Sequence, residues 1–140
     1  MRAITIGTLA RATGVKVPTI RYYEEIGLLP VAERSDSNRR TYDTAAIRRL
    51  SFIRHARDLG FAVESIRQLL DLSDQPDRNC HEIDTIARLH LEDIDAKIAR
   101  LTALRSEVKR MVDDGGHGRV AQCRVIEVLG DHAACLHQAH

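Results

Sequence analysis

Apolar residues in the first part of the chain recur at spacings of three and four, in two short runs. The first run, in residues 6–12, suits one face of a helix that stops at Gly14. The second run, in residues 17–26, suits another helix that carries Pro18 in its first turn. Tyr23 shares the apolar face of this second helix and is therefore a predicted core residue. Two short helices joined by a glycine-containing turn are typical of a helix-turn-helix.

The pattern changes after the second helix. A polar cluster at residues 35–38 separates two short extended stretches, at residues 31–34 and 40–42. Extended stretches on either side of a cluster of turn-forming residues indicate a hairpin. The sequence therefore predicts a wing over residues 31–42, with a polar tip and a basic return strand.

Two more helices, each with one apolar side, follow the wing. Asp43 or Thr44 can cap the first of them, which stops at Gly60, and the second covers residues 62–72. We expect this pair to pack against the helix-turn-helix as its support. Residues 1–72 are thus predicted to form a winged helix-turn-helix domain.

The longest helical pattern covers residues 79–112, which contain no glycine or proline. At ~1.5 Å per residue such a helix is on the order of 50 Å long, too long to be buried in one small domain. Its apolar repeat predicts a coiled coil with a second copy of the chain. The repeat does not determine whether the two helices are parallel or antiparallel. A loop and short helix over residues 113–130, and a tail with His and Cys over residues 131–140, complete a mainly α fold.

Composition and charge narrow the class of protein. Residues 1–60 hold 11 Lys and Arg against 6 Asp and Glu, whereas residues 61–140 hold 10 against 14. A basic front half favours a polyanionic partner, and an acidic back half argues against nucleic acid contact there. No apolar run approaches the roughly 18 residues of a membrane span and no secretory leader is recognisable, so we expect a cytoplasmic protein without membrane contact.

The three cysteines, Cys80, Cys123 and Cys135, have no disulfide-framework spacing. In a reducing compartment they are either thiols available to metal or oxidant, or small buried apolar residues. Asn79 and Glu82 have the spacing of a capping box, which would place Cys80 at the first helical position. The positive end of a helix favours thiolate, the form that both metals and oxidants require.

The order of these parts, and the residues in them, resemble the MerR family of bacterial transcription regulators. The resemblance rests on "IGTLARATGVKVPTIRYYEEIGLLP", on "RRTYD" in the wing, and on "IRRLSFIRHARDLGFAVESIRQLL". It implies a homodimer with a long antiparallel coiled-coil dimerisation helix. It also implies a regulator that distorts promoter DNA so that RNA polymerase can use it, and an effector site at the end of the dimerisation helix. A two-fold dimer is expected to read a palindromic operator in double-stranded DNA.

Eight polar or basic residues are candidates for DNA contact: Lys16, Thr19, Arg21, Tyr22, Arg39, Arg40, Tyr42 and Arg54. The first four lie in or just before the second, recognition helix, where Arg21 can read guanine edges and hydroxyls can hold phosphates. The wing residues and Arg54 are interpreted as phosphate contacts that set register and bend the duplex. The alternative is a solvated basic face.

In the metal-responsive branch of the MerR family, a cysteine matching Cys80 reaches across the dimer to a loop of the other subunit, which implies a divalent ion. Cys123 matches the second cysteine of that loop, whereas Gly115 and Gly116 stand where the first is expected. His117 is a candidate replacement donor or, equally, a solvated loop residue, and Asp113, Asp114 and His81 are other possible donors. Two sulfurs and one nitrogen suit tetrahedral Zn²⁺, with Cd²⁺, Pb²⁺, Co²⁺ and Hg²⁺ as alternatives.

Two other functions are alternatives to metal sensing. Cys80 could instead be a redox or electrophile switch in a regulator of the same family. An enzyme is not expected, because the sequence contains no phosphate-binding loop, nucleophile elbow or HExxH motif.

Overall fold

The computed structural model describes residues 3–114, 118–120 and 123–131, and this part of the chain is mainly helical. Its elements are α1 (Ile6–Thr13), α2 (Val17–Glu25), β1 (Glu33–Arg34), β2 (Arg40–Thr41), α3 (Thr44–Asp58), α4 (Val63–Ser73), α5 (His81–Asp114) and α6 (Arg124–Gly130). The predicted winged helix-turn-helix followed by a long helix is confirmed. The chain forms two compact units, residues 1–86 and 87–140, whose division falls within α5. The finer domain boundaries stay predictions, and the tail from residue 132 lies outside the described residues.

Local capping explains where the first two helices begin and end. The Thr5 hydroxyl accepts a hydrogen bond from the Thr8 N–H at 3.2 Å, which satisfies a donor at the start of α1. Gly14 ends α1 in the left-handed conformation, with φ of 72°, and its N–H donates to the Ala10 carbonyl. Pro18 lies in the first turn of α2, where a missing N–H costs nothing.

The wing is a short antiparallel hairpin. β1 pairs with β2 so that Glu33 lies opposite Thr41 and Arg34 opposite Arg40. Asn38 has φ of 61°, a conformation that asparagine tolerates in tight turns. At its base, Tyr42 forms a backbone bridge with Ile4, so the wing is joined to the segment that precedes α1.

One apolar core holds the first unit together. Its fully buried side chains come from α1, α2, α3, α4 and the segment after α2: Leu9, Ile20, Leu28, Leu50, Ile53 and Ile66. Tyr23 is also buried in this core, as its helical face predicted. Because α3 packs on α1 and α4 packs on α3, the expected support of the helix-turn-helix by the later helices is confirmed.

Three arginines join these supporting helices to the helix-turn-helix through backbone carbonyls. Arg54 donates to the Thr13 carbonyl at 2.6 Å, Arg49 to that of Leu28 at 2.9 Å, and Arg67 to that of Ile26 at 2.7 Å. Carbonyls just past a helix end have no intrahelical donor and carry partial negative charge, so a guanidinium is well suited to them.

The second unit contains most of α5, a helix of 34 residues, together with α6. In α6, Val125 and the buried Val128 pack against Met111 near the end of α5. Several large apolar side chains of α5 are more than half exposed: Leu89, Leu91, Ile98, Leu101, Val108 and Val112. Of the helices within the described ranges, none combines the length and apolar character needed to span a bilayer.

Replacing Gly14 by alanine should lower the free energy of unfolding, by about 1–3 kcal/mol for the left-handed backbone alone. A Cβ at this position would also lie 1.7 Å from Nη1 of Arg54 and displace that guanidinium from the Thr13 carbonyl. Chemical denaturation at one fixed protein concentration measures the change. Gly7→Ala is the matched control, because a Cβ there meets only ordinary contacts at 3.6 Å or more. Equal stability of the two variants would contradict this account.

Candidate DNA interface and metal-site residues

The outer side of α2 presents the residues predicted to meet DNA. Arg21 and Tyr22 are exposed and Thr19 is half-buried, whereas Ile20 and Tyr23 between and after them are buried. Lys16 is the N-cap residue of α2, but its side chain makes no capping hydrogen bond and it is exposed. The arrangement offers two cations and two hydroxyl groups on a short helix that the core holds from behind.

The wing adds two cations. Arg39 at the turn is exposed, and its backbone is fixed by bonds between its N–H and the Ser35 hydroxyl and between its carbonyl and the Ser35 N–H. Arg40 on β2 is half-buried. Arg39 and Arg40 can therefore contact phosphates from a hairpin of defined geometry.

The structure corrects the prediction for Tyr42. This residue is only 7% exposed, and its hydroxyl donates to the carboxylate of Glu24. Burial, together with that carboxylate, raises the pKa of Tyr42 far above its usual value, so the hydroxyl keeps its proton. A phosphate contact by Tyr42 is not compatible with this position. The residue is instead a core side chain that joins the wing to α2.

Arg54 has a more structural role than predicted. Its Nη1 donates to the Thr13 carbonyl, and its Nε lies 3.8 Å from a carboxylate oxygen of Asp58. Its side chain is nevertheless about half exposed, at 49%. The predicted phosphate contact stays a prediction that would use Nη2, while Nη1 holds the end of α1 and Nε faces Asp58 on α3 itself.

Glu24 lies beside these candidate residues but was not among those predicted from the sequence. Its side chain is 6% exposed, and its carboxylate accepts from Tyr42 and lies 3.7 Å from Nε of Arg40. One signal was available, because Glu24 follows Ile20 by four residues and so lies on the buried face of α2. A carboxylate on that face must have partners nearby.

Cys80 lies immediately before α5. The helix begins at His81, one residue later than predicted, and the Asn79 side chain accepts from the His81 N–H at 2.8 Å. The capping-box prediction is wrong for Glu82, whose carboxylate pairs with Arg78 instead. The thiol of Cys80 is exposed and lies 3.8 Å from a carboxylate oxygen of Asp84.

Cys123 is the N-cap residue of α6 and is half-buried. Its carbonyl accepts from the Glu127 N–H at 3.0 Å, so the backbone beside the sulfur is fixed by the first helical turn. The third predicted ligand, His117, lies outside the described residues, as do Gly115, Gly116 and the tail cysteine Cys135. Within the described ranges, no three potential ligands among His, Cys, Asp and Glu converge in one chain.

Two family models match the chain. The model described as "MerR HTH family regulatory protein" matches residues 4–73, and the model "MerR, DNA binding" matches residues 47–111. Together they cover α1 to most of α5, including the recognition helix, the wing and Cys80.

Individual relatives match over nearly the whole chain. The HTH-type transcriptional regulator ZntR of Escherichia coli is 36% identical over 133 residues, covering 92% of this chain and 94% of the relative. "Heavy metal-dependent transcription regulator 2" of Rhizobium meliloti is 34% identical over 131 residues, covering 94% and 89%.

A solved structure agrees with these relatives. The transcription regulator PbrR691 of Ralstonia metallidurans, crystallised in complex with lead(II), is similar with a TM-score of 0.79. It is 33% identical, and the match covers 90% of this chain and 98% of that one. The chain therefore belongs to the MerR family and is a transcription regulator rather than an enzyme.

Proposed function

We propose that this protein is a metal-responsive regulator that binds a promoter as a homodimer. A divalent ion, zinc before others, is its effector, and in the bound state it activates transcription by distorting the DNA for RNA polymerase. The observation that carries the proposal is the pair of cysteines beside α5 and α6 in a chain similar over most of its length to a heavy metal-dependent regulator. The lead(II) complex of PbrR691 supports the same class of effector.

The proposed ligands are Cys80 of one subunit with His117 and Cys123 of the other. Cys80 precedes α5 and the loop follows it, and a helix of 34 residues rises about 50 Å. An antiparallel pairing of two such helices would bring the start of one beside the end of the other. Two thiolates and one imidazole are a donor set that tetrahedral zinc accepts readily, with a fourth position left for water or a carboxylate.

The exposed apolar side chains of α5 support the dimer. Leu91, Ile98 and Leu101 recur at spacings of seven and three, as in a coiled-coil seam, and each is more than half exposed in the single chain. Covering such a seam with a second copy removes apolar surface from water on both helices.

A second candidate function is a thiol switch on the same regulator. Its support is the exposed thiol of Cys80 at a helix start, which oxidants and electrophiles can reach. The two candidates differ in what a chelator does: it abolishes a metal response and leaves a response to peroxide unchanged.

Replacing either Cys80 or Cys123 by serine should abolish tight zinc binding. A site of three protein ligands that loses one thiolate keeps too few donors for a tetrahedral ion. The wild type is expected to retain one or two ions per chain after dialysis, as measured by elemental analysis. Cys135→Ser removes a thiol outside the proposed ligand set and should bind zinc normally. In vitro transcription that ignores a panel of divalent ions but responds to peroxide would favour the thiol switch instead.

Arg21→Ala should reduce discrimination between a selected operator and a mixed-sequence duplex, because Arg21 is expected to read base edges. Arg39→Ala should weaken both complexes about equally and lower the salt dependence by about one counterion per subunit, or about two per dimer, as the loss of a phosphate contact does. Titrations over a range of salt concentrations measure both effects. Arg100→Ala removes the same charge from an exposed position on α5 and serves as the control. Equal losses in all three variants would indicate net charge alone.

Leu101→Glu should convert the protein to a monomer, because the new charge would be buried in the coiled-coil seam. Ala96→Glu adds the same charge on the opposite, exposed side of α5 and should leave the dimer intact. Sedimentation equilibrium gives the mass of each variant. A dimeric Leu101→Glu protein would show that another surface joins the subunits.

A further inference from the structure

A cluster of two buried side chains, Glu24 and Tyr42, and the half-buried Arg40 joins the recognition helix to the wing. Glu24 is on the inner side of α2, Arg40 is on β2, and Tyr42 follows β2 at the base of the wing. The Tyr42 hydroxyl donates to Oε1 of Glu24, and Oε2 of the same carboxylate lies 3.7 Å from Nε of Arg40. The two oxygens therefore have separate partners, and both partners belong to the wing.

Because Glu24 is buried, its carboxylate requires the partners that Arg40 and Tyr42 provide. A carboxylate that is 94% buried loses most of its hydration, so it requires a hydrogen bond or an opposite charge. Tyr42 can supply the hydrogen bond at any ordinary pH because its hydroxyl remains protonated. Arg40 supplies the charge. A carboxylate at an exposed position of α2, such as the neighbouring Glu25, stays hydrated and does not require a protein partner.

Arg40 gains a defined orientation from the same contact. Arg34 lies directly opposite it in the hairpin, and two like charges opposite one another repel. The Glu24 carboxylate offsets this repulsion, because its Oε2 forms an ion pair with Nε of Arg40 at 3.7 Å. In the described part of the chain Nη1 and Nη2 of Arg40 have no protein partner, so these two nitrogens stay available for an outside anion.

We propose that Glu24 is a positioning residue for DNA binding, whose buried carboxylate holds Arg40 of the wing in the orientation that contacts a phosphate. The inference rests on the proposed DNA contact of Arg40. A pre-oriented guanidinium loses less conformational entropy on binding than a free one. Tyr42 keeps the carboxylate in place and thereby fixes the wing relative to α2.

A positioning role for Glu24 and a simple electrostatic effect predict opposite changes in DNA affinity when the charge of Glu24 is removed. A carboxylate beside a DNA-binding surface repels phosphates, so removing its charge should strengthen binding. If Glu24 positions Arg40, removing that charge should weaken binding instead. The sign of the effect therefore separates a positioning role from a background charge.

The experiment measures the affinity of the metal-free full chain for a mixed-sequence duplex of about 40 base pairs, since phosphate contacts do not depend on sequence. Glu24→Gln keeps an acceptor for Tyr42 but loses the charge that holds Arg40. We expect its binding to be about two- to tenfold weaker. Glu25→Gln removes the same charge from an exposed neighbour and should bind as well as the wild type or better.

A double-mutant cycle tests whether Glu24 acts through Arg40. In an Arg40→Ala background, Glu24→Gln should no longer weaken binding, because the side chain that it orients is absent. Arg40→Ala should also lower the slope of affinity against salt by about one counterion per subunit, or about two per dimer. If Arg40 contributed only to the stability of the fold, its replacement would not change that slope. Thermal unfolding of each variant measures stability separately.

Arg40→Lys provides a second route that leaves Glu24 intact. It keeps the positive charge but removes the Nε that the carboxylate holds, so we expect weaker binding at unchanged net charge. Wild-type affinity in Arg40→Lys, or tighter binding in Glu24→Gln, would overturn the proposal. A wild-type protein that binds no duplex would refute the DNA-binding part of the proposed function. Loss of the metal response alone would leave this result unaffected, because no metal is present.

Discussion

The orientation of α2 depends on arginines from later helices that bind the backbone carbonyls at the ends of α1 and α2. A helix of nine residues is too short to be stable by itself, so its geometry comes from tertiary contacts. Arg54 holds the last carbonyl of α1, and Arg49 and Arg67 hold carbonyls just after α2. Because these contacts hold α2 in place, the side chains on its outer side are not needed to stabilise the fold. Its polar side chains can then be used for recognition.

Much of this fold could be predicted from periodicity and local turn chemistry. The spacing of apolar residues gave the five longer helices and assigned Tyr23 to the core, because a helical face is a local property of the chain. Gly14 was recognisable as a helix stop because the left-handed conformation favours glycine. Helix ends are harder to predict: α5 begins at His81, one residue later than predicted, although the Asn79 side chain accepts from the His81 N–H as an N-cap residue does. Glu82 does not complete a capping box, because its carboxylate pairs with Arg78.

The structural roles that the sequence did not reveal belong to pairs of residues that are distant in sequence. Tyr42 is 18 residues from Glu24, and Arg54 is 41 residues from Thr13. A basic or aromatic residue in a wing can serve the core or the ligand equally well, and only the partner distinguishes these roles. The residues that meet in the candidate metal site are even harder to predict from one sequence, because its proposed ligands belong to two chains. One of them, His117, lies outside the described residues.

The shared carboxylate of Glu24 also affects how such regulators could be redesigned. Recognition helices are attractive units for exchange between scaffolds, since they are short and carry most of the base contacts. Here an exchange of residues 17–25 alone would place a new inner face against Arg40 and Tyr42, and leave their polar groups without the carboxylate they share. The smallest transferable unit for a new operator preference is therefore the helix together with its wing, residues 16–42.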